Sequence, residues 1–143
     1  VRVVVANEYA FKERVRNERE LNLGTDRTLM GISLSTRGES LNVIDFGGVG
    51  GHHYVIAKAT LPSSTGIRWN VVEMSAMAEE AIGLASQELE FVDDIENVAR
   101  DIGSVDLVFA GGALRYCPAP LVTLAQLLSV GAPNVFGYPD RPE

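Results

Sequence analysis

Asp45 is followed by Phe46 and then by four glycines in five positions, Gly47, Gly48, Gly50 and Gly51. A carboxylate attracts a cationic ligand group. Glycines let the backbone turn sharply and approach a ligand closely. Two more acidic positions close later apolar runs. Glu73 ends the run Ile67–Glu73, and Asp93 and Asp94 follow Leu89–Val92. Glu73 can accept hydrogen bonds from both hydroxyls of a ribose. Asp93 or Asp94 can accept from the exocyclic amine of an adenine.

A dinucleotide fingerprint needs glycine at the first, third and sixth positions of its turn. Counted from Gly48, the sixth position is His53; counted from Gly47, the third and sixth are Val49 and His52. The fingerprint is absent in both registers. A phosphate loop is absent too, because no Gly-Lys-Ser/Thr follows the glycines. A pyrophosphate would also be repelled by Asp45. S-adenosylmethionine suits the set: it has ribose, adenine, a sulfonium and an ammonium, and no phosphate.

The elements that must position these groups follow from periodicity. From residue 41 onward apolar runs and helical patterns alternate. Strands are expected at Leu41–Phe46, Ile67–Glu73, Leu89–Val92, Val105–Ala110 and Asn134–Gly137. Helices are expected at His52–Thr60, from Ser75 with Met77, Ala78, Ala81, Ile82 and Ala85 inward, and after Asp94 with Ile95, Val98, Ala99 and Ile102 inward. A last helix follows Pro118 and Pro120, carries Leu121, Leu124, Leu127 and Leu128, and ends at Gly131. Such alternation predicts right-handed βαβ units: an α/β, doubly wound, Rossmann-like parallel sheet of about five strands with helices on both faces. Ligands of such sheets sit beyond the carboxyl ends of the strands, where the acids and glycines collect. Residues 1–40 read as an N-terminal helical preface to the domain at 41–143. Asn7 can cap a helix through Glu20, with Tyr9, Phe11 and Val15 for packing. Thr25 or Asp26 can cap a second, carrying Leu29, Met30, Ile32 and Leu34 and stopping at Gly38.

The 143 residues fit one domain, and a mean hydropathy of +0.10 allows a real core. Net charge is −7, unevenly spread. Residues 1–40 hold seven Lys/Arg against six Asp/Glu, and residues 41–143 hold five against thirteen. An acidic body of this kind repels nucleic acid. Arg14, Arg16 and Arg19 form either a local anion-binding face or, the favoured reading, a solvated helix face with intrahelical ion pairs. No apolar run is long enough to span a membrane, and no signal peptide is recognisable at the N-terminus. Cys117, the single cysteine, cannot form an internal disulfide, in keeping with a cytoplasmic location. One Cys and two adjacent His give no metal-ligand spacing.

Asp45-Phe-Gly-Gly-Val-Gly-Gly51 resembles motif I of the class I S-adenosylmethionine-dependent methyltransferases. Val71-Val-Glu73 is similar to their second-strand acid, and Val105 to Pro120 to their fourth strand and the loop after it. The wording Asp-Phe-Gly-Gly, then His-Tyr, then Trp69-Asn-Val-Val-Glu73 is nearest to a group of bacterial methyltransferases of unassigned substrate. The resemblance covers residues 41–137. It implies that Asp45, Gly47 and Gly51 line the methionine part of the cofactor, with Gly48 among the contacting glycines. Glu73 would hold the ribose and Met74 the adenine face; Asp93, Asp94 and Ile95 would frame the adenine edge, and Ala110 and Gly111 would lie beside the cofactor. Val49 departs from the pattern, which most often has glycine there. Such enzymes have seven strands, so the terminal two are expected to be missing here. The parent chain is longer, a partner supplies the edge, or the domain is a degenerate, non-catalytic binding or dimerisation module. An open fifth strand suggests a homodimer.

Other residues carry two readings each. Either Asp93 or Asp94 caps the next helix. His52 and His53 touch cofactor or substrate, or are ordinary helix-surface histidines. Tyr116 faces substrate or packs. These three are the candidates for a general base, which is optional when the acceptor is an acidic hydroxyl. Tyr54 and Trp69 read as packing, and Cys117 as a small buried hydrophobe. The resulting expectation is a methyltransferase acting on a small molecule, with no motif that names the acceptor.

Overall fold

The computed structural model describes residues 23–137. The expected helix from Asn7 lies outside them. Within them five strands form one sheet: β1 Ser40–Phe46, β2 Gly66–Val72, β3 Leu89–Val92, β4 Leu107–Phe109 and β5 Asn134–Phe136. All pairings are parallel, in the order β3-β2-β1-β4-β5. Strand order reverses between β1 and β4, which makes that junction the switch point where α/β sheets bind ligands. The helices are α1 Leu23–Ser35, α2 His52–Thr60, α3 Ser75–Ala81, α4 Ile95–Ile102 and α5 Pro120–Ser129.

Period-two alternation sends odd and even strand residues to different layers. Leu41, Val43, Ile67, Trp69, Val71, Leu107 and Phe109 pack with Ile32, Tyr54, Ile56, Ala57, Ala78 and Ala81 from α1, α2 and α3. Ile44, Val72 and Val108 face the other way, against Val98 of α4 and Leu127 of α5. The doubly wound Rossmann-like fold is therefore present, and α1 of the preface shares its core. The approach of α1 is close: a Cβ on Gly31 would stand 2.9 Å from the Phe109 ring.

Several boundaries and faces differ from expectation. β2 starts at Gly66 and stops at Val72, leaving Glu73 just past the strand. β4 is confined to Leu107–Phe109, the three residues that pair with β1 on one side and β5 on the other. Thr25 and Asp26 lie within α1, so neither caps it. Of its expected apolar residues, Ile32 is buried, while Met30 and Leu34 are exposed. After α3 the chain tightens into a 3₁₀ turn, Ile82–Leu84. That change of winding puts Leu84 inward and Ile82 outward, contrary to the helical pattern. On α5 only Leu127 is buried; Leu121 and Leu128 are exposed.

Candidate functional site

A cleft of about 820 Å³ opens at the carboxyl end of the sheet. That volume is in the range of small-molecule sites. Its floor is Phe46, Gly47, Val49 and Val72. One wall carries Glu73, Met74, Met77, Asp93, Asp94, Ile95 and Glu96, and the other carries Gly111 to Ala113, Tyr116, Cys117, Pro118, Thr123 and Gln126. Four carboxylates line it, and among the described lining residues there is no Lys, Arg or His. Its field therefore favours positive ligand groups and opposes phosphate.

The glycine turn is fixed by backbone geometry. The Gly47 N–H donates to the Val72 carbonyl at 2.9 Å and the Gly51 N–H to the Gly48 carbonyl at 2.9 Å. Gly47 has φ of 74°, and a Cβ there would overlap the Ala113 methyl. Gly48 lies against the Asp45 carboxylate so closely that any side chain would collide with it. Val49 has φ of 53°, the one non-glycine residue with positive φ among the described residues. Its N–H donates to Glu73 Oε1 at 2.8 Å.

Glu73 stands half-buried over the turn. Burial pushes its carboxyl above the ordinary 4.5, the Val49 and Met74 amides pull it back, and Asp45 adds repulsion upward. Beside it Met74 is 70% exposed into the cleft, an apolar surface at the acid's shoulder. Asp93 accepts from Ser75 Oγ at 2.5 Å. Asp94 is the N-cap of α4: its Oδ1 accepts from the Glu96 N–H at 2.8 Å and the Asn97 N–H at 3.1 Å. The cap assignment thus falls on Asp94.

Asp45 is placed differently from the expectation. It has no exposure and does not line the cleft. Both of its oxygens lie 3.0 Å from His53 Nδ1, and Trp69 Nε1 donates to Oδ2 at 3.1 Å. Burial alone would push the carboxyl up. The charge and hydrogen bond of His53, with smaller help from His52 and Trp69, bring it below its ordinary 3.8. The physical reason is alternation: Asp45 follows Val43 onto the layer that meets α2, not the open end of the sheet. His53 is likewise buried, stacked on Phe109 at 5.0 Å between ring centroids, so it is not a surface histidine. His52, Gly48, Gly51 and Ala110 also fall outside the lining.

Gly47, Glu73, Met74, Asp93, Asp94, Ile95, Gly111 and Tyr116 are brought together there. Tyr116 is 74% exposed at the rim, with the Arg115 guanidinium 4.7 Å above its ring. Cys117 is half-buried in the wall rather than in the core. Sequence reasoning missed Phe46, Met77, Glu96, Thr123 and Gln126. Phe46 and Glu96 adjoin recognised motif residues and could have been found by adjacency. Thr123 and Gln126 reach the cleft only through the placement of α5, for which the chain carries no local signal. Among the described residues no cluster of three or more His, Cys, Asp or Glu is placed to hold a metal ion. No helix among them is long and apolar enough to cross a membrane.

No protein-family model matches the chain, and no curated protein matches it. Solved structures do. The O-methyltransferase TomG of Streptomyces achromogenes, involved in tomaymycin synthesis and solved with S-adenosylmethionine, superposes with a TM-score of 0.55 at 15% identity, covering 98% of this chain and 71% of its own. An O-methyltransferase from Bacillus cereus, solved with S-adenosylhomocysteine, gives 0.56 at 13% identity over 94% of this chain and 65% of its own. The [4+2]-cyclase SpnF gives 0.54 at 15% identity over 74% and 40%. The chain spans between two fifths and seven tenths of these proteins. At such identities the likeness is one of fold: the five-stranded parallel sheet and its helices are those on which these S-adenosylmethionine methyltransferases, and a cyclase, are built.

Proposed function

We propose that this chain binds S-adenosylmethionine in the cleft and is a cytoplasmic methyltransferase for a small-molecule acceptor. One observation carries the reading: Gly47 and Val49 of the turn and Glu73 face one cleft that, among the described residues, four carboxylates and no cation line. The donor set fits the cofactor and not a dinucleotide. The Glu73 carboxylate offers acceptor oxygens to ribose hydroxyls. Met74 offers an apolar face, and Asp93 an acceptor beyond it. Gly47 and Gly111 line the cleft without side chains. When bound, the cofactor supplies a methyl group already activated by its sulfonium. The protein's part is then to hold the acceptor in line and to keep water out. Tyr116 at the rim is the candidate to meet the acceptor; His52 and His53 lie away from the lining. The nearest wording in sequence is bacterial, and self-association along β5 would cover the edge that no other described strand pairs.

Calorimetry with S-adenosylmethionine and S-adenosylhomocysteine tests the binding. Micromolar affinity for both is expected, and no heat with either removes the proposal. A methyl-acceptor screen then tests turnover. The cyclase built on the same fold supports a second reading, in which the site binds the cofactor but performs other chemistry or none. Binding without turnover of any acceptor would favour it.

A further inference from the structure

Asp45, the acid of the glycine motif, is spent inside the protein. Its two oxygens share His53 Nδ1, and Oδ2 takes the Trp69 indole N–H as well. A carboxylate only accepts, so Nδ1 of His53 carries the proton. The donors are themselves fixed: His53 stacks on Phe109, and Phe109 on Trp69 at 6.0 Å and 25° between planes. β1 pairs Asp45 with Val71 on one side and Phe109 on the other. The fourth side of the carboxylate is Gly48, in contact with no room for a Cβ. The glycine turn is thus clamped at both ends by one group. Gly48 rests on the carboxylate, and His53, two residues past Gly51, is hydrogen-bonded to it. The Val55 N–H to Gly51 carbonyl bond of 3.1 Å ties that second end into α2.

We infer that Asp45 is a positioning residue: through its hydrogen bonds with His53 and Trp69 it holds the turn 47–51 in the shape that receives the ligand, and it does not touch the ligand. This places the motif's acid beneath the cofactor loop rather than in the cofactor site. The inference rests on the proposed cofactor only for the ligand used in one arm of its test.

The test compares wild type with Asp45→Asn, His53→Ala, His53→Asn and Trp69→Phe. In ligand-free protein, NMR reads hydrogen exchange at the amides of residues 47–51 and the Trp69 indole resonance. Calorimetry reads S-adenosylhomocysteine affinity. His53→Ala should speed exchange in the turn at least tenfold, shift the indole proton and weaken binding at least tenfold. His53→Asn keeps an N–H donor near the place of Nδ1 and should restore both readouts to within about threefold. Three outcomes would overturn the inference. The first is Asp45→Asn losing affinity with turn exchange and indole unchanged, which would mean a direct ligand contact. The second is His53→Ala leaving the turn amides unaltered. The third is His53→Asn behaving like His53→Ala, which would assign the effect to ring packing. Should wild type bind no S-adenosylhomocysteine, the proposed cofactor fails, and the ligand-free arm still decides the inference. Should Asp45→Asn not fold, the two His53 variants and Trp69→Phe carry the comparison.

Discussion

Val49 holds φ of 53° where a β-branched residue is strained. Its N–H bond to Glu73 is one contact that keeps it there. Glycine adopts the same backbone without the steric cost but loses more entropy on folding. Strain relief of about 1–3 kcal/mol against an entropic cost of about 0.5–1 kcal/mol leaves a net gain of about 1 kcal/mol. Val49→Gly should therefore raise the melting temperature by about 3 °C. A calorimetric scan that shows a fall would mean that the Val49 side chain contributes packing larger than the strain. Glu73 gives a pH prediction. Its folded carboxyl titrates above 4.5 because burial outweighs the two amides. In the proposed site, ribose hydroxyls would donate to the ionised form, so ligand affinity should be full well above that folded pKa and fall as pH drops through it. Glu73→Gln should weaken binding by about 1.5 kcal/mol or more and abolish that pH dependence. Asp45 has the opposite shift: its contribution to folding is present above 3.8 and is lost as pH falls through its lower folded value. On acidification, loss of ligand should therefore precede acid unfolding.

Elements were legible where one local rule dominated. Asp94 before Ile95 is a cap by residue type, and its carboxylate accepts the first free amides of α4. Asp94→Ala should cost about 1 kcal/mol of stability, measured by urea unfolding. If capping is its whole role, S-adenosylhomocysteine affinity should stay within about threefold of wild type. A tenfold loss would restore Asp94 as an adenine contact. Helix faces were less legible. The pattern from Ser75 to Ala85 has helical spacing, yet the last turn is 3₁₀, and Leu84 replaces Ile82 inside. Nothing in residue type announces that switch, because it depends on where β3 must begin. For α5, four leucines gave no way to choose the buried one. Only Leu127 lies under the sheet's second face.

At the scale of the molecule, strand-helix alternation made the parallel sheet readable, and the acids at strand ends marked the side where ligands bind. Glu73, Met74 and Asp93 could be read as lining a cleft because they lie at or just past strand ends, where side chains leave the sheet. Asp45 could not, because it lies within a strand and its direction is set by pleat alternation against α2. The same whole-molecule view yields a test of charge. S-adenosylmethionine carries one more positive charge than S-adenosylhomocysteine, with otherwise near-identical shape. Glu73, Asp93, Asp94 and Glu96 line the cleft on a chain of net charge −7. Their attraction for the sulfonium acts through a cleft open to solvent, so salt screens it. The Debye length falls from about 30 Å at 0.01 M to about 3 Å at 1 M. The affinity ratio of S-adenosylmethionine to S-adenosylhomocysteine should therefore decline severalfold across that range, as measured by calorimetric titration. Contacts common to both ligands cancel in the ratio, so packing and hydrogen bonds do not contribute to its change. A ratio independent of salt would mean that the acidic wall does not face the sulfonium, and would move the cofactor's methionine end away from the carboxylates, towards the Gly111–Tyr116 side of the cleft.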